Sequence, residues 1–184
     1  MRETVRLSLL LALIAALCGV LLVALAAKTE PARAATAERR RLAAVNDVLA
    51  ALGERPRIEQ SPAADGAFAA FSAAGDFAGA AIPGSSPHGY GGEVRLMVGF
   101  DADGRVLGFA LLDAHETPGL GAKIARDDFR AQFAGLPFDA DWRVRKDGGD
   151  IDAVTSATIS SRAACEAVAA AASHFAAVRA AATP

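Results

Sequence analysis

Near the C-terminus the run Asp152-Ala153-Val154-Thr155-Ser156-Ala157-Thr158 sets hydroxyl side chains at a turn that opens an Ala-rich stretch. From Ile159 to Arg179 there is almost no helix breaker, and Val168, Phe175 and Val178 recur about one or two turns apart, so a helix starting near Thr158 is expected. Amide N–H groups in such a first turn have no intrahelical acceptor and lie at the positive end of the helix dipole. A phosphate near Thr158 can accept hydrogen bonds from the amides of Ile159, Ser160 or Ser161. The commoner use of Ser or Thr ahead of an apolar run is simple N-capping by Ser156 or Thr158, and the residues alone leave both readings standing.

A second segment, His115-Glu116-Thr117-Pro118-Gly119-Leu120-Gly121-Ala122-Lys123, follows an apolar run ending at Leu112. Pro118 and the two glycines break any strand there, and glycine lets backbone approach a flat ring closely; an ordinary strand-to-helix turn is the alternative. His115 and Glu116 have no second histidine at ligand spacing, since His88 and His174 are distant in sequence, so a ring contact or a turn-shaping hydrogen bond is expected rather than a metal site. Only two cysteines occur, Cys18 in an apolar run and Cys165 in the last helix. They cannot staple the fold or hold a cysteine-ligated cluster or structural zinc, so redox chemistry requires an organic cofactor. No G-x-G-x-x-G opens a helix after a strand, and a net charge of −2 without a basic stripe argues against nucleic acid.

These segments need a scaffold. Thr36 to Leu52 reads as a helix through Leu42, Val45, Val48, Leu49 and Leu52, ended by Gly53. Residues 54–92 are rich in Ala, Gly, Pro and Ser, with short strands expected. Within them Ser85-Ser86-Pro87-His88-Gly89-Tyr90-Gly91-Gly92 reads as a loop in which Tyr90 packs. Glu93 to Phe100 alternates Val94, Leu96 and Val98 on one face, Arg105 to Leu112 is again strand-like, and Asp101-Ala102-Asp103-Gly104 joins them as a tight hairpin turn. Lys123 to Phe133 suits a short helix, Trp142 to Lys146 a strand, and one long helix follows Thr158, with His174 on its surface. Strands with segregated helices imply an α+β domain with a mainly antiparallel sheet and flanking helices.

Leu7 to Ala27 is a run of 21 residues without a charge. As a helix it spans about 31 Å, enough to cross a hydrocarbon core of about 30 Å once. A signal peptide cleaved near Ala24-Leu25-Ala26 or Ala32-Arg33-Ala34 is the rival, but its apolar core is usually shorter. The expected layout is a short start at 1–6, a transmembrane anchor at 7–27, a juxtamembrane helix at 28–53 and one domain at 54–184. Lys28, Arg33, Arg39, Arg40 and Arg41 follow the span while only Arg2 and Arg6 precede it, a bias opposed to an outward domain. Long C-terminal domains, however, translocate largely regardless of charge.

The run D-A-V-T-S-A-T resembles the flavinylation signal D-x-x-[ST]-[GS]-A-T of the FMN-binding domain family shared by the RnfG and NqrC subunits of membrane redox complexes. H-E-T-P-G-L-G is similar to the E-T-P-G-L-G segment beside the flavin in that family. Ala153 stands where members often have Gly, and the G-Y-x-G of members matches Gly89-Tyr90-Gly91-Gly92. The resemblance runs from Gly89 into the C-terminal helix, more weakly from Phe77, and by length is closest to the RnfG type. It implies FMN joined to Thr158 by a phosphoester, with Thr155, Ser156, Ala157, Glu116, Thr117, Gly119, Leu120 and Gly121 around it. It further implies a separate Mg²⁺-dependent flavin transferase that uses FAD as donor, releases AMP and reads Asp152 and Thr155. The chain would then have no complete active site of its own. It would relay electrons with the other subunits of an Rnf-type complex that couples ferredoxin/NAD⁺ electron flow to ion movement, its domain on the periplasmic side of the bacterial inner membrane. An NqrC-like or other respiratory FMN subunit is one alternative, and a non-redox membrane-anchored assembly module is another.

Overall fold

The computed structural model describes residues 2–53, 56–114 and 121–183, leaving aside the side chain of Ala122. Helix α1, Arg2–Leu49, begins the chain and contains Pro31, and a 3-10 turn at Ala50–Leu52 closes on Gly53, whose N–H donates to the Ala50 carbonyl. The chain divides into two compact units, Met1–Arg40 and Arg41–Pro184. In the first, the leucines and valines between Val5 and Leu25 are exposed, and the helix is long and apolar enough to cross a membrane.

The second unit is built on a five-stranded antiparallel meander, β1 Arg57–Gln60, β2 Phe68–Phe71, β3 Phe77–Gly89, β4 Gly92–Asp101 and β5 Val106–Ala114, in that order across the sheet. Its spine is the β3–β4 ladder, which runs from Gly79 opposite Asp101 to Gly89 opposite Gly92. The expected turn between β4 and β5 is present: Asp101 accepts from Gly104 N–H at its carbonyl, and from Asp103 and Arg105 N–H at its carboxylate.

The sheet is covered on both faces. Val94, Leu96, Val98 and Phe100 fall on one side, as their alternation predicts, and join Ile82 and Phe109 beneath α3 (Thr158–Ser173) and α4 (Phe175–Ala182). Met97, Ala70 and Ala81 face the other way, against Ala44, Val45, Val48 and Leu49 from the end of α1. Of the covering helices, α3 and the end of α1 sit close because strand glycines admit them. A Cβ at Gly84 would come within 2.0 Å of the Ala167 carbonyl oxygen, and one at Gly99 within 2.7 Å of the Val48 carbonyl oxygen.

Three expectations require correction. The C-terminal helix is two helices: α3 tightens at its end, with His174 N–H bonded to the Ala171 carbonyl, and redirects so that Phe175 enters the core. That ring packs on Phe100 and Phe138 at 5.2 Å each and on Phe77 at 6.4 Å. Burying such a side chain contributes about 1.5–3 kcal/mol, more than one uninterrupted helical turn would. Trp142 to Lys146 is not a strand: only Val144 pairs, in a parallel bridge with Ile151, before a 3-10 turn at Arg145–Asp147. The three charged residues there favour a solvated turn over a buried strand, and Gly148 supplies the left-handed conformation that completes it. Lys123 to Phe133 is a 3-10 turn at Gly121–Ala125 followed by α2, Asp127–Arg130, because Phe129 and Phe133 must both turn inward onto Phe109.

Gly84→Ala should therefore lower stability by about 2–3 kcal/mol or more, since the clash is with helix backbone that cannot rotate away. Urea unfolding of the full chain in detergent, followed by Trp142 fluorescence, measures it.

Candidate functional site

The acceptor run forms a compact arch at the start of α3. Ala157 N–H donates to the Val154 carbonyl, and Ser156 adopts φ +65°, the sole left-handed non-glycine among the described residues. Neither Ser156 nor Thr158 caps the helix, against the capping expectation. Ala157 occupies the cap position without a side-chain bond. The buried Ser161 hydroxyl organises the arch instead, accepting Val154 N–H at 3.0 Å and donating to the Ala157 carbonyl at 2.9 Å. Ser161 N–H also bonds to Ala157, so that amide is not open to a phosphate, whereas Thr158 and Ile159 N–H donate to no backbone carbonyl among the described residues. The Thr158 hydroxyl, half-buried, has no hydrogen-bond partner among them either.

Three clefts meet at this arch. One, of about 450 Å³, is walled by Tyr90, Gly121, Ala157, Thr158 and Ile159. A second, about 410 Å³, carries Arg145 and Lys146 beside Thr155, Ser156 and Thr158. A third, about 300 Å³, lies past Thr155 and carries Lys123, Arg126 and Gln132. Thr155, Ser156, Ala157, Thr158 and Gly121 are thus brought together. Glu116, Thr117, Gly119 and Leu120, with His115 and Pro118, lie outside the described residues.

Tyr90 is a correction: it stands at the β3–β4 hairpin tip with 69% of its surface exposed, not packed in the core. The long ladder carries it beyond the covering helices to the mouth of the Thr158 cleft. The exposed side chain of Ile159, of which sequence singled out only the amide, and the cations of the second cleft are further neighbours. The only signal was the basic pair Arg145-Lys146 between Val144 and a glycine turn.

Charge around the arch is largely paired. Arg145 grips Asp152, Arg162 grips Asp147 through two bonds of 2.6 and 2.7 Å, and Arg143 pairs with Asp141. Hydrogen bonds from these arginines hold the three aspartates below the usual carboxylate range. Lys146 makes no ion pair among the described residues, leaving a cation in the cleft beside Thr158. On the outer face of α3, Glu166 accepts from the buried Ser86 hydroxyl and contacts His88 Nδ1 at 2.8 Å; the Ser86 bond first, then His88, lowers its pKa.

The donor set suits an aromatic phosphate ester. Amides, Lys146 and the Thr158 hydroxyl can meet the phosphoryl end, and a partly apolar cleft within the usual 300–1,000 Å³ range can meet a flat ring. Residues 89–173 match the model of the FMN-binding domain. That match covers a little under half of the chain. Its start coincides with Gly89, where the resemblance begins. The chain is 46% identical over 95 residues to the G subunit of the ion-translocating oxidoreductase complex of Escherichia coli K12, covering 48% of this chain and 46% of that one. It is 44% identical over 100 residues to the corresponding protein of Pectobacterium atrosepticum, covering 51% and 48%. The chain spans about half the length of the curated relatives it matches. A solved structure of Shewanella oneidensis NqrC is similar over 56% of this chain and 52% of its own, at 21% identity and a TM-score of 0.47, too loose a likeness to bear on the site.

Ser161→Ala should cost about 1–3 kcal/mol, because it strands the Val154 amide, and should raise hydrogen exchange at that amide selectively. Ser86→Ala should move the Glu166 titration back up towards its ordinary value, read by carboxyl NMR. With the folded pKa depressed, the stability from this contact is fully present above the ordinary Glu range and is lost as pH falls through the folded value.

Proposed function

We propose that this chain is the FMN-carrying subunit of a membrane-bound ion-translocating oxidoreductase complex of Rnf type, with the flavin held covalently on Thr158. The observation that carries the reading is a threonine hydroxyl that meets no hydrogen-bond partner among the described residues, at a helix start inside the stretch matched by the FMN-binding domain model and between a cationic and a partly apolar cleft. A capping threonine would serve the assembly-module alternative equally well, but here Ser161 does the organising and Thr158 does not cap.

Thr158 Oγ attacks the phosphorus of the FMN half of FAD; its bond to phosphorus forms, the pyrophosphate P–O bond breaks and AMP leaves. The threonine proton passes to a base, which with Mg²⁺ belongs to a separate flavin transferase, since a threonine hydroxyl is not acidic enough to react unaided. No oxidation or reduction accompanies attachment. With FMN attached, the Ile159 amide and Lys146 would hold the phosphodiester, and Tyr90 and the Ile159 side chain would meet the ring. FMN held there supplies one- or two-electron exchange at its ring. The covalent bond prevents dilution of the cofactor outside the cytoplasm and raises the ring's local concentration over a shallow niche.

Relatives named as G subunits of an ion-translocating oxidoreductase complex support partners of that kind for this chain. Electron flow between ferredoxin and NAD⁺ is what the Rnf-type resemblance implies for the assembly. The apolar helix supports a membrane anchor, and a place in the inner membrane with the domain on the periplasmic side is what the resemblance implies.

Thr158→Ala, produced with a flavin transferase, should lose the fluorescent band seen under ultraviolet light after denaturing electrophoresis, while melting as the wild type does. A band that persists in this variant refutes the assignment.

A further inference from the structure

Asp152 is fixed from two sides. The parallel bridge between Val144 and Ile151 sets Arg145 beside Asp152, and Arg145 N–H donates to the Ile151 carbonyl at 2.8 Å. The guanidinium then grips the carboxylate fork to fork, Nε to Oδ1 at 2.7 Å and Nη2 to Oδ2 at 3.2 Å, while Nη2 also reaches the Asp150 carbonyl. From the other side the Gln132 amide pairs with both backbone groups of Asp152. Its Oε1 accepts Asp152 N–H at 2.7 Å and its Nε2 donates to the Asp152 carbonyl at 3.2 Å.

Arg145 itself stands on a fixed base. Its 3-10 turn is tied to α3 by the Arg162–Asp147 pair and braced by Arg143 Nη1 on the Asp147 carbonyl. Two residues beyond Asp152, Ser161 fastens Val154 and Ala157 to the same helix. The chain is therefore pinned at 152, 154 and 157, and Thr155 and Ser156 project between the pins with exposed side chains.

We propose that Arg145 and Gln132 are positioning residues for attachment of the flavin: they use the Asp152 carboxylate and backbone to hold the acceptor arch in the shape a flavin transferase accepts. This rests on Thr158 as the acceptor. The acid at 152 then serves inside the domain, and the transferase reads the arch rather than that charge. Exposed ion pairs contribute little to global stability, so loss of the clamp is expected in the rate of modification and not in melting. A small displacement of an acceptor hydroxyl suffices to slow a transfer reaction strongly.

The test uses the full chain in detergent with FAD, Mg²⁺ and a flavin transferase, following covalent flavin fluorescence with time in Arg145→Asp, Asp152→Arg, the double exchange and Gln132→Ala. Each single variant should label about tenfold more slowly or worse. The exchanged pair, side by side across the bridge, should recover to within about threefold of wild type, with all melting temperatures close to it. Single variants labelling at the wild-type rate overturn the proposal. So does a double variant as slow as Asp152→Arg alone, which would show that the enzyme reads the carboxylate. Wild-type chain that takes no label at all defeats the Thr158 reading beneath it as well.

Discussion

The buried Ser161 hydroxyl, receiving Val154 N–H and donating to the Ala157 carbonyl, decides what the rest of the arch can do. A helix start needs its loose backbone groups satisfied, and the usual solution employs the Ser or Thr at the boundary. Here a serine one turn into the helix performs that role from inside the core. The boundary residues are released: Ser156 is turned outward in a left-handed conformation, and Thr158 does not cap the helix.

Ser161 can act this way only because α3 lies hard against the sheet. Gly84 lets the helix backbone approach β3, and Phe175 locks the far end of the helical segment among Phe77, Phe100 and Phe138. The same ladder that supports α3 continues past it to the hairpin tip and delivers Tyr90 to the Thr158 cleft. Packing and site are thus consequences of one strand pair. The ion pairs at Asp147 and Asp152 are exposed and add little to stability, but they decide where the turn at 145–147 and the arch stand.

Much of this was legible in the residues, for reasons of range. The β4 alternation, the Asp101–Gly104 turn, the Gly53 stop and the apolar span depend on neighbours a few positions away, and all are found. The α+β class followed from strands with segregated helices, and the match to the FMN-binding domain model begins at Gly89, where the resemblance carried by the motifs begins. The break at His174 was hidden because it answers to three phenylalanines from three remote segments. Trp142 to Lys146 has a strand's composition, but its partner is Ile151, close in sequence, which leaves room for one bridge. Tyr90 reads as a packing aromatic until the length of β3 is known, and Asp152 reads as a residue for the transferase until Arg145 is placed beside it.

One oxygen atom, the Thr158 hydroxyl, bears the proposed flavin. The most direct measurement is the intact mass of the chain isolated from its own host membrane, followed by peptide mapping. An excess equal to FMN less one water is expected after allowance for N-terminal processing, located on the peptide containing Thr158. A mass equal to that of the encoded polypeptide, or an excess mapping to another residue, contradicts it.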